Sequence, residues 1–183
     1  VDGDIANGEI GTSSYTRLSG VPTILILGDE NSDTDEYDRH VIIHEFGHYF
    51  EDQVTRTNSI GGGHSLSDRL DPRLAQSEGW ANAYSAIVLN DPIYRDSLGS
   101  QQSNGFSFSI ESDLTTASGP RFPGWYSETS IQQILYDVFD SVNDGNDTIS
   151  VGFAPIYAAI SGADFIGYRY FTTIYDYAEE LRA

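Results

Sequence analysis

The front of the chain alternates apolar segments of strand length with turn residues, whereas the remainder carries longer patterns typical of helices. Residues 15–18 and 22–27 are two extended segments around Ser19-Gly20, a turn pair that predicts a β-hairpin. Apolar spacing, capping residues and a proline in a first turn predict the other elements. These are helices at residues 35–55, 72–89, 127–141, 154–160 and 163–181, and a possible strand at 106–110. The pattern therefore predicts an α+β fold, mainly helical, with a small antiparallel sheet near its front.

Composition narrows the class of protein. The chain carries 28 acidic and 9 basic residues, a net charge of -19, and no cysteine. Such a charge repels phosphates, so nucleic acids and anionic membrane surfaces are poor partners. Apolar runs are no longer than a strand, so no membrane insertion is expected. We expect residues 1–183 to form a single domain and, because the chain opens on Val1 without an initiator methionine, a fragment of a longer precursor.

Residues 44–48 read HEFGH, the strongest chemical signal in the chain. His44 and His48 are four positions apart on a predicted helix, so both imidazoles can reach one metal ion. Glu45 points toward the same cavity, where it can take a proton from metal-activated water. Hydrolytic zinc sites use three protein ligands and leave one position for water. The motif therefore predicts a metal-dependent hydrolase whose third ligand lies elsewhere.

Glu78, early on the following predicted helix, is the best candidate for the third ligand. Its carboxylate can cross from that helix to the helix of the two histidines. Gly47 and Gly79 lack side chains and would let these two helices approach closely. His40 lies one turn before His44 on the same face, but three histidines along one helix cannot surround an ion tetrahedrally. We expect His40 to be exposed or to support a ligand.

HEFGH followed by EGWAN at residues 78–82 resembles the gluzincin metallopeptidases, and among them the fungalysin-like and thermolysin-like enzymes. The resemblance covers about residues 40–85. It implies that His44, His48 and Glu78 are the zinc ligands and that Glu45 is the catalytic general base. It also implies a zincin-like fold, with the small sheet beside the HExxH helix, and an enzyme that hydrolyses peptide bonds.

Three features depart from the family pattern. The interval between the two motifs, residues 49–77, is longer than in the thermolysin-like group. Asn82 stands where the family has an aspartate that accepts a hydrogen bond from a ligand histidine, although an amide oxygen can do so without the charge. No histidine follows His64, whereas thermolysin-like enzymes use a downstream histidine to stabilise the tetrahedral intermediate.

The developing oxyanion of such a reaction needs a donor besides zinc. His64, in a glycine-rich segment between the two motifs, and Tyr126, just before the helix at 127–141, are the two candidates. Each residue also has an explanation without a role in the reaction. His64 would then be an exposed loop histidine, and Tyr126 an aromatic residue packed at the start of a helix. Donor geometry decides between them, and a sequence does not supply it.

Two acidic loops raise a second metal question. Residues 29–35 (DENSDTD) and 143–147 (NDGND) carry oxygen ligands at the short spacing that suits calcium. Neither loop matches the EF-hand pattern, and turn or capping chemistry explains both equally well. Ca²⁺ is therefore a second candidate cofactor beside Zn²⁺.

Two functions are open. The first is a secreted or cell-surface zinc peptidase acting on peptides or proteins; family habit and acidity suggest the location, since no targeting segment is present. The second is a non-catalytic peptidase-like module that binds zinc or a partner. Asn82, the missing downstream histidine and the small number of predicted strands favour the module. Glu45 favours the enzyme, because a purely structural zinc site has no need of it.

Overall fold

The structure is a computed structural model that describes residues 9–30, 32–111, 122–142 and 148–182. The strands are β1 (Ser14–Leu18), β2 (Val21–Leu25), β3 (Ile93–Leu98) and β4 (Asn104–Ser109). The helices are α1 (Arg39–Val54), α2 (Pro72–Leu89), α3 (Glu128–Phe139), α4 (Phe153–Ser161), α5 (Ala163–Gly167) and α6 (Ile174–Glu180). The strands form two separate antiparallel pairs, β1–β2 and β3–β4. The predicted α+β class, mainly helical with little sheet, is confirmed.

The predicted hairpin is present as β1 and β2. Leu18 pairs with Val21, which leaves Ser19 and Gly20 as a two-residue loop with φ angles of 52° and 85°. Positive φ at both positions matches the twist of the strands that they connect. On the strand itself, Arg17 Nη2 lies 2.6 Å from Asp52 Oδ2 of α1. The hairpin is thereby fixed to the helix that carries the HExxH motif.

The helix with the HExxH motif begins later than the sequence suggests. The predicted helix from residue 35 is interrupted: a single 3₁₀ turn spans Asp35–Tyr37, and α1 proper starts at Arg39. Asp38 between them has extended backbone angles, φ -95° and ψ 94°. Its carboxylate does not cap α1 but accepts hydrogen bonds from the Ser97 backbone N–H at 2.9 Å and hydroxyl at 2.6 Å. A tertiary contact with β3 has replaced the local cap.

The second long helix has the bounds that the sequence predicts. The Asp71 side chain accepts a hydrogen bond from the Arg73 backbone N–H, Pro72 occupies the first turn, and Asn90 ends the helix in a left-handed conformation. Every residue from 74 to 87 is buried. Helix α2 is therefore the central element of the fold, and Glu78 and Asn82 project from it into enclosed surroundings.

Two glycines set the spacing of the three long helices. A Cβ on Gly47 would lie 3.1 Å from Ala81 Cα, so this glycine lets α1 and α2 approach closely, as predicted. A Cβ on Gly79 would lie 2.6 Å from Ile131 Cβ and 2.8 Å from the Glu128 carbonyl oxygen. Gly79 therefore serves the contact between α2 and α3, and the expectation that it faces the HExxH helix was wrong.

A second strand pair went partly undetected in the sequence. Strand β4 covers most of the predicted 106–110 segment, but its partner β3 interrupts its apolar residues with Arg95 and Asp96 and gives no clear strand pattern. The pair packs through stacked aromatic rings, with Tyr94 and Phe108 centroids 4.8 Å apart. Tertiary contact, rather than local pattern, makes β3 a strand.

The C-terminal part is divided where one long helix was predicted. The segment predicted as residues 163–181 contains α5 and α6, because Tyr168 is extended and Thr173 starts a new helix through a capping box with Asp176. The largest core side chains come from α2 through α6: Trp80, Ile131, Leu135, Ile156, Ile160, Phe165 and Tyr177. Among the described residues, no helix is both long and apolar enough to cross a membrane.

Candidate metal centre

One cleft collects the chemistry-bearing residues of α1, α2 and α3. Its volume is about 860 Å³, and its lining includes His44, Glu45, His48, His64 and Glu78. Residues 61–67 and aromatic side chains of the β3–β4 pair also line it. A second hollow of similar volume, lined by residues such as Gly28 and Tyr37, contains no histidine. The first cleft is therefore the candidate functional site.

His44, His48 and Glu78 converge at the floor of this cleft. One helical turn separates the two histidines on α1, and their Nε2 atoms lie 3.1 Å apart. Glu78 approaches from α2, with Oε2 3.3 Å from His44 Nε2 and 3.3 Å from His48 Nε2. Three ligand-type atoms from two helices thus form a small triangle, and that they bind a metal stays a prediction.

The size of this triangle fits a zinc ion. Ligand atoms about 2.0–2.1 Å from zinc in tetrahedral arrangement lie roughly 3.3 Å from one another, close to the three separations above. Glu78 is only 7% exposed, and three imidazole nitrogens, those of His44, His48 and His64, lie 3.2–3.3 Å from its Oε2. Two imidazole nitrogens and one carboxylate oxygen are also the donors that hydrolytic zinc sites use. The described residues therefore provide a candidate metal-binding group.

A hydrogen-bond chain orients the first histidine. His44 Nδ1 lies 2.8 Å from Asn82 Oδ1, and Asn82 Nδ2 donates to Gln132 Oε1 of α3 at 2.9 Å. An amide oxygen can only accept, so this contact places the His44 proton on Nδ1 and leaves Nε2 free to bind a metal. Asn82 thus makes the contact that an aspartate makes in the family pattern.

A second chain, which the sequence did not reveal, orients the other histidine. His48 Nδ1 lies 3.1 Å from Ser77 Oγ, and the Ser77 hydroxyl donates to Glu51 Oε2 at 2.6 Å. Glu51 is 1% exposed, and burial raises its pKa to about 7 against the opposing effect of the Ser77 hydrogen bond. Glu51 lies three positions after His48, a spacing that could have suggested it, whereas Ser77 becomes relevant only when α2 packs on α1.

Electrostatics in the metal-free site hold His48 protonated. Burial lowers the pKa of His48, but the neighbouring Glu78 carboxylate outweighs it and raises this pKa to about 9. Burial alone would raise the pKa of Glu78, whereas the charge of His48 and hydrogen bonds from the histidines bring it far below its ordinary value. The metal-free site therefore holds the Glu78 carboxylate beside a protonated His48, and a metal cation would compete with that proton.

His64 enters the cleft from the loop side and is held by two carboxylates. Its Nδ1 lies 2.8 Å from Glu128 Oε2, and its Nε2 lies 3.2 Å from Glu78 Oε2. Hydrogen bonds to Glu128 and then to Glu78 raise the pKa of His64 to about 10. Glu128, the first residue of α3, is only 2% exposed and was not identified from the sequence. His64 is thereby oriented toward the predicted metal ligands.

Tyr126 lies apart from this cluster. It is not among the described residues that line the cleft, and its ring packs beneath the Arg69 guanidinium, 4.6 Å from ring centroid to Cζ. The Tyr126 carbonyl accepts a hydrogen bond from the Leu70 backbone N–H at 2.9 Å. The geometry places it as a packed aromatic at the entrance of α3, so of the two predicted oxyanion donors only His64 has a position within reach of the site.

Glu45 and His40, the other two candidate residues on α1, occupy different surroundings. Glu45 lines the cleft beside the histidines and is 8% exposed. His40 is 3% exposed, and its Nε2 lies 3.3 Å from the Asp91 carbonyl oxygen. Its ring also packs against Tyr94, which in turn contacts the His44 ring. His40 is therefore buried rather than exposed, and it supports a ligand only through an aromatic contact.

Of the two acidic loops considered for calcium, the structure describes only the first, apart from Asn31. Residues 143–147 and Asn31 lie outside the described residues. Within the first loop, Asp33 and Asp35 converge with Asp38 and with Asp96 of β3. Burial, followed by repulsion from neighbouring carboxylates, raises the pKa of Asp33 to about 7 and that of Asp96 to about 6. The sequence did not indicate Asp38, at the junction before α1, or Asp96, which β3 brings in from beyond α2.

The comparison with known families decides the affiliation of the chain. The model of the Mycolysin C-terminal domain matches residues 23–179. The chain belongs to the Mycolysin C-terminal domain family. The match begins within β2, covers α1 to α5, the β3–β4 pair and the candidate metal centre, and ends within α6. No curated protein and no solved structure matches the chain.

Membership in the Mycolysin C-terminal domain family supports the coarser part of the sequence interpretation, a module associated with peptidases. The family is described by its position at the C-terminal end of mycolysin, and the match assigns neither a metal nor a catalytic role to it. The closer likeness to fungalysin-like enzymes rests on the HEFGH and EGWAN residues alone. A catalytic or non-catalytic role must therefore be argued from the chemistry of the cleft.

Proposed function

We propose that this chain is a zinc-dependent peptidase domain. The observation that carries the proposal is the convergence of His44 Nε2, His48 Nε2 and Glu78 Oε2 within 3.1–3.3 Å of one another, with Glu45 lining the same cleft. His44, His48 and Glu78 would hold the ion. A zinc ion held there would supply Lewis acidity and would lower the pKa of a water molecule toward neutrality.

The remaining work of hydrolysis falls to the protein's own side chains. Glu45 would accept the proton of the attacking water and pass it to the leaving amine nitrogen. His64, fixed by Glu128, would donate a hydrogen bond to the oxyanion that develops on the scissile carbonyl. In the metal-free fold, hydrogen bonds to Glu128 and then to Glu78 raise the His64 pKa to about 10, which favours the protonated, donating imidazole. The substrate would be a peptide or protein, met in the external medium if the chain is secreted.

A non-catalytic peptidase-associated module is the second candidate, and the family match accommodates it equally well. The description of the family by C-terminal position favours this candidate, as do Asn82 in place of an aspartate and the absence of a histidine after His64 in the sequence. Glu45 argues against it, because a site that only holds zinc does not need a carboxylate free to accept a proton. Turnover measurements separate the two.

The deciding experiment compares zinc-loaded parent protein with Glu45→Gln on a diverse peptide mixture. Glu179→Gln, the same change at an exposed position of α6, is the matched control. The proposal expects cleavage by the parent and by Glu179→Gln, and a loss of about 10²–10⁴-fold in Glu45→Gln, the contribution of a positioned general base. All three proteins should bind zinc stoichiometrically. A parent that binds one zinc ion and cuts no peptide would establish the module instead.

Zinc binding needs its own measurement, because loss of activity alone does not identify ligands. His48→Ala and Glu78→Ala should reduce zinc affinity, measured by competition with a chromophoric chelator, whereas Glu45→Gln should leave it unchanged. Zinc affinity that survives Glu78→Ala would exclude Glu78 as the third ligand, and His64 would be the next residue to test.

A further inference from the structure

A cluster of four acidic side chains lies where the entrance to α1 meets β3. Asp33, Asp35, Asp38 and Asp96 each place one carboxylate oxygen within 4.8 Å of the others. Backbone pairing between Asp33 and Leu98 joins the segment before α1 to β3, as do the hydrogen bonds from Ser97 to Asp38. The four acidic side chains are therefore held together by the fold and do not meet by chance on a solvated surface.

One of these carboxylates is deeply buried and incompletely bonded. Asp35 is 3% exposed; its Oδ2 accepts a hydrogen bond from the Ser13 hydroxyl, but its Oδ1 has no partner among the described residues. Asp33 Oδ1 and Asp96 Oδ1 are likewise buried atoms without partners. A buried carboxylate oxygen without a donor costs substantial free energy. Three such oxygens together indicate a missing positive partner.

No cationic side chain in the described part of the chain supplies such a partner. In the described part of the chain, no arginine or histidine forms an ion pair with Asp33, Asp35, Asp38 or Asp96. The positive end of the α1 dipole attracts negative charge, but Asp38 at the N-cap position turns its carboxylate to Ser97 and does not cap the helix. Helix capping therefore does not account for the cluster.

We propose that Asp33, Asp35, Asp38 and Asp96 bind one Ca²⁺ ion. Calcium takes six to eight oxygen ligands at about 2.3–2.6 Å, so oxygens on opposite sides of the ion are roughly 5 Å apart, a spread that the cluster accommodates. The buried Thr34 hydroxyl, also without a partner among the described residues, is a further oxygen in the same segment. Carboxylates from separate segments suit the irregular geometry of calcium better than the strict octahedron of magnesium.

A calcium ion here would act on the candidate metal centre through structure. It would tie the residue before α1 to β3, whose Tyr94 packs against the rings of His40 and His44. The proposal does not rest on the proposed peptidase activity, because it requires neither zinc nor turnover. Asp33, Asp35 and Asp96 also line the cleft, so the competing occupant is a cationic side chain of a bound peptide.

The test is a Ca²⁺ titration of the zinc-loaded parent against Asp35→Asn and Asp96→Asn. Asp164→Asn, an exposed aspartate on α5, is the matched control. We expect the parent and Asp164→Asn to bind one Ca²⁺ per chain, more tightly than Mg²⁺, and to gain Tm. Each substitution in the cluster should reduce Ca²⁺ affinity about tenfold or more, because it removes one charged ligand. Circular dichroism and zinc stoichiometry verify that each variant folds. If Asp35→Asn and Asp96→Asn do not fold, Asp33→Asn, at a half-buried position, replaces them in the titration.

Several results would overturn the proposal. Absence of Ca²⁺ binding to the parent would do so, as would Ca²⁺ binding that persists unchanged in the cluster variants. Arginine-containing peptides that bind the parent and lose affinity in Asp35→Asn, without any Ca²⁺ binding, would assign the cluster to substrate recognition. If the protein in any of these cases still binds zinc stoichiometrically and shows normal Glu45-dependent activity, the proposed peptidase function stands. Failure of the calcium proposal is therefore distinguishable from failure of the proposed function.

Discussion

His44 and Asn82 are joined across the α1–α2 interface by a 2.8 Å contact between His44 Nδ1 and Asn82 Oδ1. The Asn82 amide is itself held by Gln132 of α3, so three helices cooperate to orient one imidazole. The contact fixes the tautomer that a metal ligand requires, using a neutral acceptor where the family pattern has a charged one. The substitution therefore changes the charge around the site while keeping its hydrogen bond.

Removal of this contact should weaken metal binding without dismantling the fold. We expect Asn82→Ala to lose about 10–100-fold in zinc affinity, the usual effect of deleting a partner of a ligand histidine. Competition with a chromophoric chelator measures the change. Asn104→Ala, at an exposed position of β4, is the control and should keep parental affinity. Equal affinities for Asn82→Ala and parent would show that His44 needs no such support.

The pH dependence of the metal-free protein should oppose that of zinc binding. The pKa of His48 is about 9 in the fold, above its ordinary 6.5, because the Glu78 carboxylate outweighs burial. Stability from protonated His48 is fully present below about pH 6.5 and is lost as pH rises through about 9. Zinc needs the neutral imidazole, so zinc affinity should rise over the same interval and binding should release protons.

Urea unfolding of the metal-free protein from pH 6 to 9.5 tests the predicted loss of stability with rising pH. Calorimetry of zinc binding in buffers of different ionisation enthalpy counts the released protons. His48→Asn is the control, and it should flatten the stability profile. Zinc binding that releases no protons at neutral pH would contradict the raised pKa.

The orientation of His64 should depend on Glu128. Hydrogen bonding to the Glu128 carboxylate is the largest cause that raises the pKa of His64 to about 10. We expect Glu128→Gln to lower the pKa of His64 toward its ordinary 6.5. NMR titration of the imidazole protons measures this change. If His64 is the oxyanion donor, the same variant should also lower kcat more than it changes KM. A His64 titration that does not move would indicate that Glu78 alone sets it.

Close packing between α2 and α3 should make Gly79 intolerant of substitution. The Cβ of Gly79→Ala would meet Ile131 Cβ at 2.6 Å and the Glu128 carbonyl oxygen at 2.8 Å. We expect a loss of about 1–3 kcal/mol in the free energy of unfolding, the typical cost of overpacking, measured by urea denaturation. Gly167→Ala meets nothing within 4 Å and should be nearly neutral. Equal stability of the two variants would mean that the helices separate without cost.

The sequence by itself determined the parts that depend on near neighbours. The hairpin turn at Ser19-Gly20, the full extent of α2 and the pairing of His44 with His48 all follow from interactions within four residues along the chain. Such interactions are visible in a linear pattern, because propensity, capping and helical spacing act locally. His44 and His48 were named on this basis, whereas Glu78 came from the following predicted helix and the EGWAN resemblance; their role as zinc ligands stays a prediction.

Only the tertiary structure decided which distant residues meet. Glu128 reaches His64 because the missing side chain of Gly79 lets α3 pack closely on α2, and Asp96 joins the acidic cluster because β3 returns to the entrance of α1. The break before α1 has the same origin, since Asp38 bonds to Ser97 instead of capping its own helix. These contacts join segments far apart in the chain, and their energies depend on packing geometry that no local pattern records.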